Sequence, residues 1–119
     1  MAAAATLVIA FVAFLHVYFL VLEMFFWTKP LGLKVFGLTQ EAAESSRVLA
    51  ANQGLYNGFL AAGLMWSLTL GAAGHATRLF FLGCIVIAGV FGGATASRKI
   101  LFVQALPAAI AIGLVLLAQ

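Results

Sequence analysis

Three acids occur in 119 residues, and one of them, Glu23, stands inside a long apolar run. A bare charge in hydrocarbon costs about 3 kcal/mol or more, so a carboxylate there must be paired, protonated or reached by water. The chemistry it offers is proton exchange or the reception of a cationic or hydroxyl group. A second polar group interrupts another apolar run at Asn52, Gln53, Tyr56 and Asn57. On a helix, Asn52 and Tyr56 fall about 40° apart, with Gln53 and Asn57 on the adjoining stripe. Their amides and phenol either line a site or bond neighbouring helices together at roughly 1 kcal/mol each. Gln104 adds an amide, and Arg98 and Lys99 just before it are suited to an anionic head group. Three accessory residues complete the set. His16 precedes Glu23 by about 10 Å of helix and reads either as part of a proton path or, preferentially, as a neutral histidine bonded to another helix. Trp27 is either an accessory ligand contact or an interfacial aromatic. Arg47, with Lys29 and Arg98, is a candidate partner for Glu23 in a boundary salt bridge, the alternative to a functional carboxyl.

The composition says what must position these groups. Hydrophobic residues make up 66% of the chain, charged residues 8%, and the mean hydropathy is +1.20. Soluble domains carry roughly 25% charged residues, so an integral membrane protein is expected, with lipid as its immediate partner. The net charge of +3 does not point to nucleic acid, because the six basic residues have no aromatic interleaving and read as topology and head-group charges. Cys84 is alone, so an intramolecular disulfide is impossible. His75 is expected on the other side of the membrane from the polar cluster. No metal-ligand spacing, phosphate-cradling loop, nucleophile elbow or paired acidic motif is present. No metal and no cofactor is expected.

The fold expected is all-α: a polytopic membrane four-helix bundle in one domain. Its spans cover about residues 2–27, 48–70, 79–96 and 100–118, near the roughly 20 residues each that a bilayer requires. The first segment lacks a basic n-region and carries an acid near its end, so it reads as a retained helix rather than a signal peptide. Lys29, Lys34 and Arg47 follow span one, and Arg98 and Lys99 follow span three, against Arg78 alone on the opposite side. Both basic loops are therefore expected in the cytoplasm and both termini outside, in the bacterial inner membrane.

Local signals refine this plan. Pro30 stops the first helix. The stretch 31–38 is too short to span and is expected at the head-group boundary, within an interfacial loop 28–47. Thr39 is the expected N-cap of a continuous second helix beginning near Gln40, with Glu41 and Glu44 facing the positive end of its dipole. Ala50, Gly54, Gly58 and Ala62 form a small-residue row opposite the polar face. A second such device comprises Ala88, Gly92 and Ala96 with Gly89, Gly93 and Ser97. Such rows permit close helix approach, between subunits or within one. Pro107 removes the amide that would bond the Val103 carbonyl, so a distortion is expected near Gln104. The topology gathers Glu23, Asn52–Asn57, Arg98, Lys99 and Gln104 into one leaflet, with Glu23 and the Asn52/Tyr56 face expected in one hydrated site.

The runs His16-Val17-Tyr18, Val21-Leu22-Glu23-Met24, Lys34-Val35-Phe36-Gly37-Leu38, Ala51-Asn52-Gln53-Gly54-Leu55-Tyr56-Asn57-Gly58 and Ser97-Arg98-Lys99-Ile100 through Gln104 to Pro107 resemble domain-of-unknown-function family 1304. That resemblance covers essentially the whole chain and implies four membrane helices without assigning an activity. A weaker architectural likeness is to the MAPEG superfamily of trimeric membrane enzymes. Here Arg47 and Asn52 are one residue too far apart for that pattern, Leu55 stands where its glutamate would be, and the third helix lacks its tyrosine and arginine. The function expected is binding of a small amphipathic molecule or lipid by a homo-oligomer. A membrane enzyme acting on a lipophilic substrate, a small proton-coupled transporter and a structural helper of other membrane proteins are the alternatives.

Overall fold

Helix ends follow the punctuation of the sequence. In the computed structural model, which describes residues 2–119, α1 (Ala2–Phe25) runs unbroken and stops ahead of Pro30. Pro30 then opens α2 (Pro30–Phe36) at its first position, where a missing amide costs nothing. Gly37 closes α2 in the left-handed region at φ 64°, its N–H donating to the Leu33 carbonyl. The interfacial stretch of the sequence is thus a short helix. Thr39 caps α3 (Gln40–Thr69) as expected: its Oγ1 accepts from the Ala42 amide at 3.1 Å. A 3₁₀ turn (Gly71–Gly74) leads into α4 (His75–Thr95), and α5 (Arg98–Leu117) completes the chain. Regular structure among the described residues is helical throughout, which makes the protein all-α.

Among the described residues, three stretches are long and apolar enough to cross a membrane: α1, Gly71–Thr95 and α5. The expected count was four. The span placed at 48–70 falls, all but its last residue, within α3, which has the length at 30 residues but not the apolarity. Glu41, Glu44 and Arg47, then Asn52, Gln53 and Asn57, dilute it.

The chain divides into two compact units. Residues 14–61 form one, from the later part of α1, α2 and most of α3. Here α2 comes so close to the end of α1 that a Cβ on Gly32 would collide with the Phe26 carbonyl. Trp27 joins the three pieces. Its Nε1 donates to Ser46 Oγ on α3 at 3.0 Å, and its ring lies 4.8 Å from that of Phe36 on α2.

Residues 2–13 and 62–119 form the other unit, whose core includes Ile9, Val12, Leu64, Leu82, Ile85 and Val115. The expected small-residue device of α4 is used internally. A Cβ on Gly89 would lie 2.5 Å from the Ala105 backbone nitrogen, and one on Gly93 would lie 2.9 Å from Leu101 Cβ, both on α5. The distortion expected from Pro107 takes a definite form. Residues Leu101–Ala105 adopt π register, and the Leu106 amide donates to Leu101 five residues back. The widened turn immediately precedes the proline, whose ring and missing amide exclude an ordinary α-turn there.

Candidate functional site

The buried stripe of α3 recurs every seven residues at Ala43, Ala50, Asn57 and Leu64, with Gly54 and Ala61 between. This is the spacing of a helix-packing seam. Gly54 lets the α3 backbone press on α1: an added Cβ would meet Met24 Cγ at 2.7 Å, Glu23 Cβ at 3.1 Å and the Leu20 carbonyl at 3.2 Å. That approach brings the next buried residue, Asn57, against the carboxyl. Asn57 Nδ2 donates to Glu23 Oε1 at 2.5 Å.

Both residues are enclosed, Glu23 at 2% exposure and Asn57 at 8%. Glu23 Oε2 is equally buried and completes no hydrogen bond, although Gln53 approaches the carboxyl from the adjoining position of α3. Within this unit the boundary ion pair is not made: Lys29 and Arg47 are exposed, and the carboxyl's hydrogen-bond partner is an amide. His16 lies about two turns earlier on α1, fully buried, with its ring edge-on to Phe19 at 5.4 Å. Among the described residues no three of His, Cys, Asp and Glu converge on a metal-sized site.

The predicted polar face of α3 divides. Asn57 belongs to the same buried stripe as Gly54, where helical-wheel reasoning had put it on the polar side opposite the glycines. The correction follows from spacing, since residues three apart on a helix are near neighbours. Asn52 and Tyr56 stay exposed and pair with each other, Asn52 Nδ2 lying 3.5 Å from the Tyr56 hydroxyl. Tyr56 also packs beside Phe59. In the other unit, Arg98 and Lys99 are exposed in the first turn of α5, which Ser97 caps by accepting from the Lys99 amide at 3.3 Å, and Gln104 is half-buried in the π-turn. Ser46, the anchor for Trp27, escaped sequence reasoning, as a serine in a solvated-looking turn carries no signal of its own.

The family described as "Protein of unknown function (DUF1304)" matches residues 10–116. The chain belongs to this family. It is also similar to "Uncharacterized protein YpaA" of Lactococcus lactis subsp. lactis (strain IL1403), with 30% identity over 89 residues, which cover 73% of this chain and 75% of that protein. No solved structure matches the chain. Glu23 and Asn57 both fall inside the matched family region.

Proposed function

We propose that this DUF1304 protein is a multi-pass protein of the bacterial inner membrane that binds a small amphipathic molecule through Glu23 and Asn57. The observation that carries the reading is Glu23 Oε2, buried beside Asn57 without a hydrogen bond. A buried acceptor left unmatched costs about 1 to 3 kcal/mol, and an incoming N–H or O–H donor removes that cost. The ligand class is therefore an amine or alcohol head on an apolar body. A carboxyl and an amide can hold and orient such a head.

The test uses purified protein in detergent with dodecylamine, dodecanol and dodecyl sulfonate. The two donors should raise the unfolding temperature of wild type and lose that effect in Glu23→Gln. Equal responses in the two proteins would remove the site.

The polar pair Asn52–Tyr56 supports a second element of the proposal, a homo-oligomer. These groups face outward from a helix flanked by apolar residues, and a second copy of the chain would shield them from lipid. The double variant Asn52→Leu, Tyr56→Phe should shift the native mass distribution toward monomer, and an unchanged distribution would exclude this face. In the same reading α3 crosses the bilayer as a fourth, more polar span shielded by its neighbours, so that both termini lie outside and Lys34 and Arg98 inside, because basic residues resist translocation. A periplasmic-only reporter fused after Gln119 should be active; a reporter active only in the cytoplasm would reverse the orientation.

A further inference from the structure

The unit of residues 2–13 and 62–119 contains no Asp or Glu, yet it holds Arg78 half-buried near the start of α4. Arg78 Nη2 donates to two backbone carbonyls, Gly71 at 2.6 Å and Ser67 at 3.1 Å, and so caps the C-terminal end of α3. Its Nε is buried and has no acceptor. Guanidinium donors taken out of water are normally paired, and this side chain cannot shed its charge by deprotonation. Beside it lies a cavity of about 340 Å³ whose walls include Ala5, Ile9, Val115 and Ala118, with the Thr6 residue also at its lining. Arg78 is itself part of that lining, so a fixed cation stands at a cavity with these apolar walls, and no acidic side chain of the same unit exists to neutralise it.

We propose that this cavity is a second binding site, for an anionic head group, phosphate or carboxylate, that carries an apolar tail. The planar guanidinium, already oriented by two carbonyls, supplies the positive charge and the N–H donors of its cavity-facing edge to the anion, the chemistry that favours arginine at such sites. The tail occupies the space toward Ile9 and Val115. The site is independent of Glu23 in charge, in ligand class and in the residues that build it.

Binding is read as the unfolding temperature of the purified chain with decyl phosphate, decanoate, decyltrimethylammonium and inorganic phosphate alone. It is read again in nanodiscs of phosphatidylglycerol and of phosphatidylcholine. At about a hundredfold excess over Kd, a tailed anion should raise the midpoint by about 5 °C or more. Decyltrimethylammonium and inorganic phosphate should have little effect. Arg78→Gln should abolish the shift, while Glu23→Gln should retain it, which separates this site from the first. Because Arg78→Gln also removes an α3 cap, Ala118→Trp is the companion variant: it fills the cavity from an exposed position, leaves the arginine in place and should equally abolish binding. An Arg78-dependent response to decyl phosphate or decanoate identifies a free amphiphile. The same dependence seen only in phosphatidylglycerol identifies a bilayer lipid. Absence of any Arg78-dependent response, an equal response to inorganic phosphate, or full binding by Ala118→Trp would overturn the proposal.

Discussion

The two compact units use one packing device to different ends. In residues 14–61, Gly54 brings α3 onto Met24 and Glu23, and the seam continues into a buried carboxyl and amide. In the other unit, Gly89 brings α4 onto the Ala105 backbone, and the buried residues nearby on these helices, Leu82, Ile85, Ala108 and Ala111, are all apolar. The second crossing teaches that glycine and aliphatic side chains are sufficient to join two of these helices. The polar pair in the first is therefore not needed for packing, and replacing a buried polar pair by well-fitted apolar groups is often neutral or stabilising. Charge divides the same way: Glu23, Glu41 and Glu44 all belong to residues 14–61, whereas the other unit has Arg78, Arg98 and Lys99 with no acid.

The largest effect that would break this contrast is expected at Gly89. A leucine there drives its Cβ into backbone rather than into a movable side chain, and overpacking of that kind should cost about 3 kcal/mol. Gly83 on the same helix has nothing within 4 Å of its added Cβ, so Gly83→Ala should gain roughly 0.5 to 1 kcal/mol from helix propensity alone. Denaturant unfolding in detergent measures both. A Gly89→Leu protein as stable as wild type would show that the apolar crossing is not what holds this unit together.

A double-mutant cycle at Glu23 and Asn57 comes next in size. Asn57→Leu strips the donor from Oε1 and puts an apolar group against a buried carboxyl, at an expected cost of about 2 to 3 kcal/mol. Glu23→Gln keeps an acceptor for Asn57 and should cost less than about 1 kcal/mol. Residues sharing a hydrogen bond couple by roughly 0.5 to 3 kcal/mol, whereas separated ones add within about 0.5 kcal/mol. Glu23 with Asn57 should therefore be non-additive, and Glu23 with Asn52 additive. The reverse result would restore the site expected from the helical wheel.

Much of this was legible beforehand, for reasons that differ by residue. Thr39 and Pro30 act through neighbouring backbone, so their effects at the ends of α3 and α2 follow from local sequence. Pro107 announced a disturbance at Gln104, but not its π register, nor that the same turn sets Leu101 and Ala105 against Gly93 and Gly89, which are tertiary contacts. Glu23 was conspicuous from composition. Its partner was harder to name because four polar side chains in six positions spread over an arc of about 140° of the helix, and only packing decides which of them turns inward. The seven-residue recurrence through Ala43, Ala50 and Leu64 does point to Asn57, yet alanine is too common in this chain for the pattern to stand out. Arg78 was read as a topology charge, since a cavity beside a side chain leaves no mark in sequence.

Removal of one surface donor, at Trp27, asks whether residues 14–61 are held by polar bonds as well as by glycine contacts. Trp27 contributes both an aromatic surface against Phe36 and a single donor to Ser46, whose hydroxyl in turn donates to the Ala42 carbonyl at 2.7 Å. Phenylalanine keeps most of the surface and removes only the donor. Ser46 retains its bond to Ala42, so no buried group is stranded, and the loss should be about 1 kcal/mol. Trp27→Ala removes the surface as well and should cost about 3 kcal/mol or more. Thermal unfolding of the two variants separates the contributions. If Trp27→Phe proves as damaging as Trp27→Ala, the hydrogen bond rather than the aromatic contact fixes α2 against α3, and this unit depends on polar geometry at its surface as it does at Glu23.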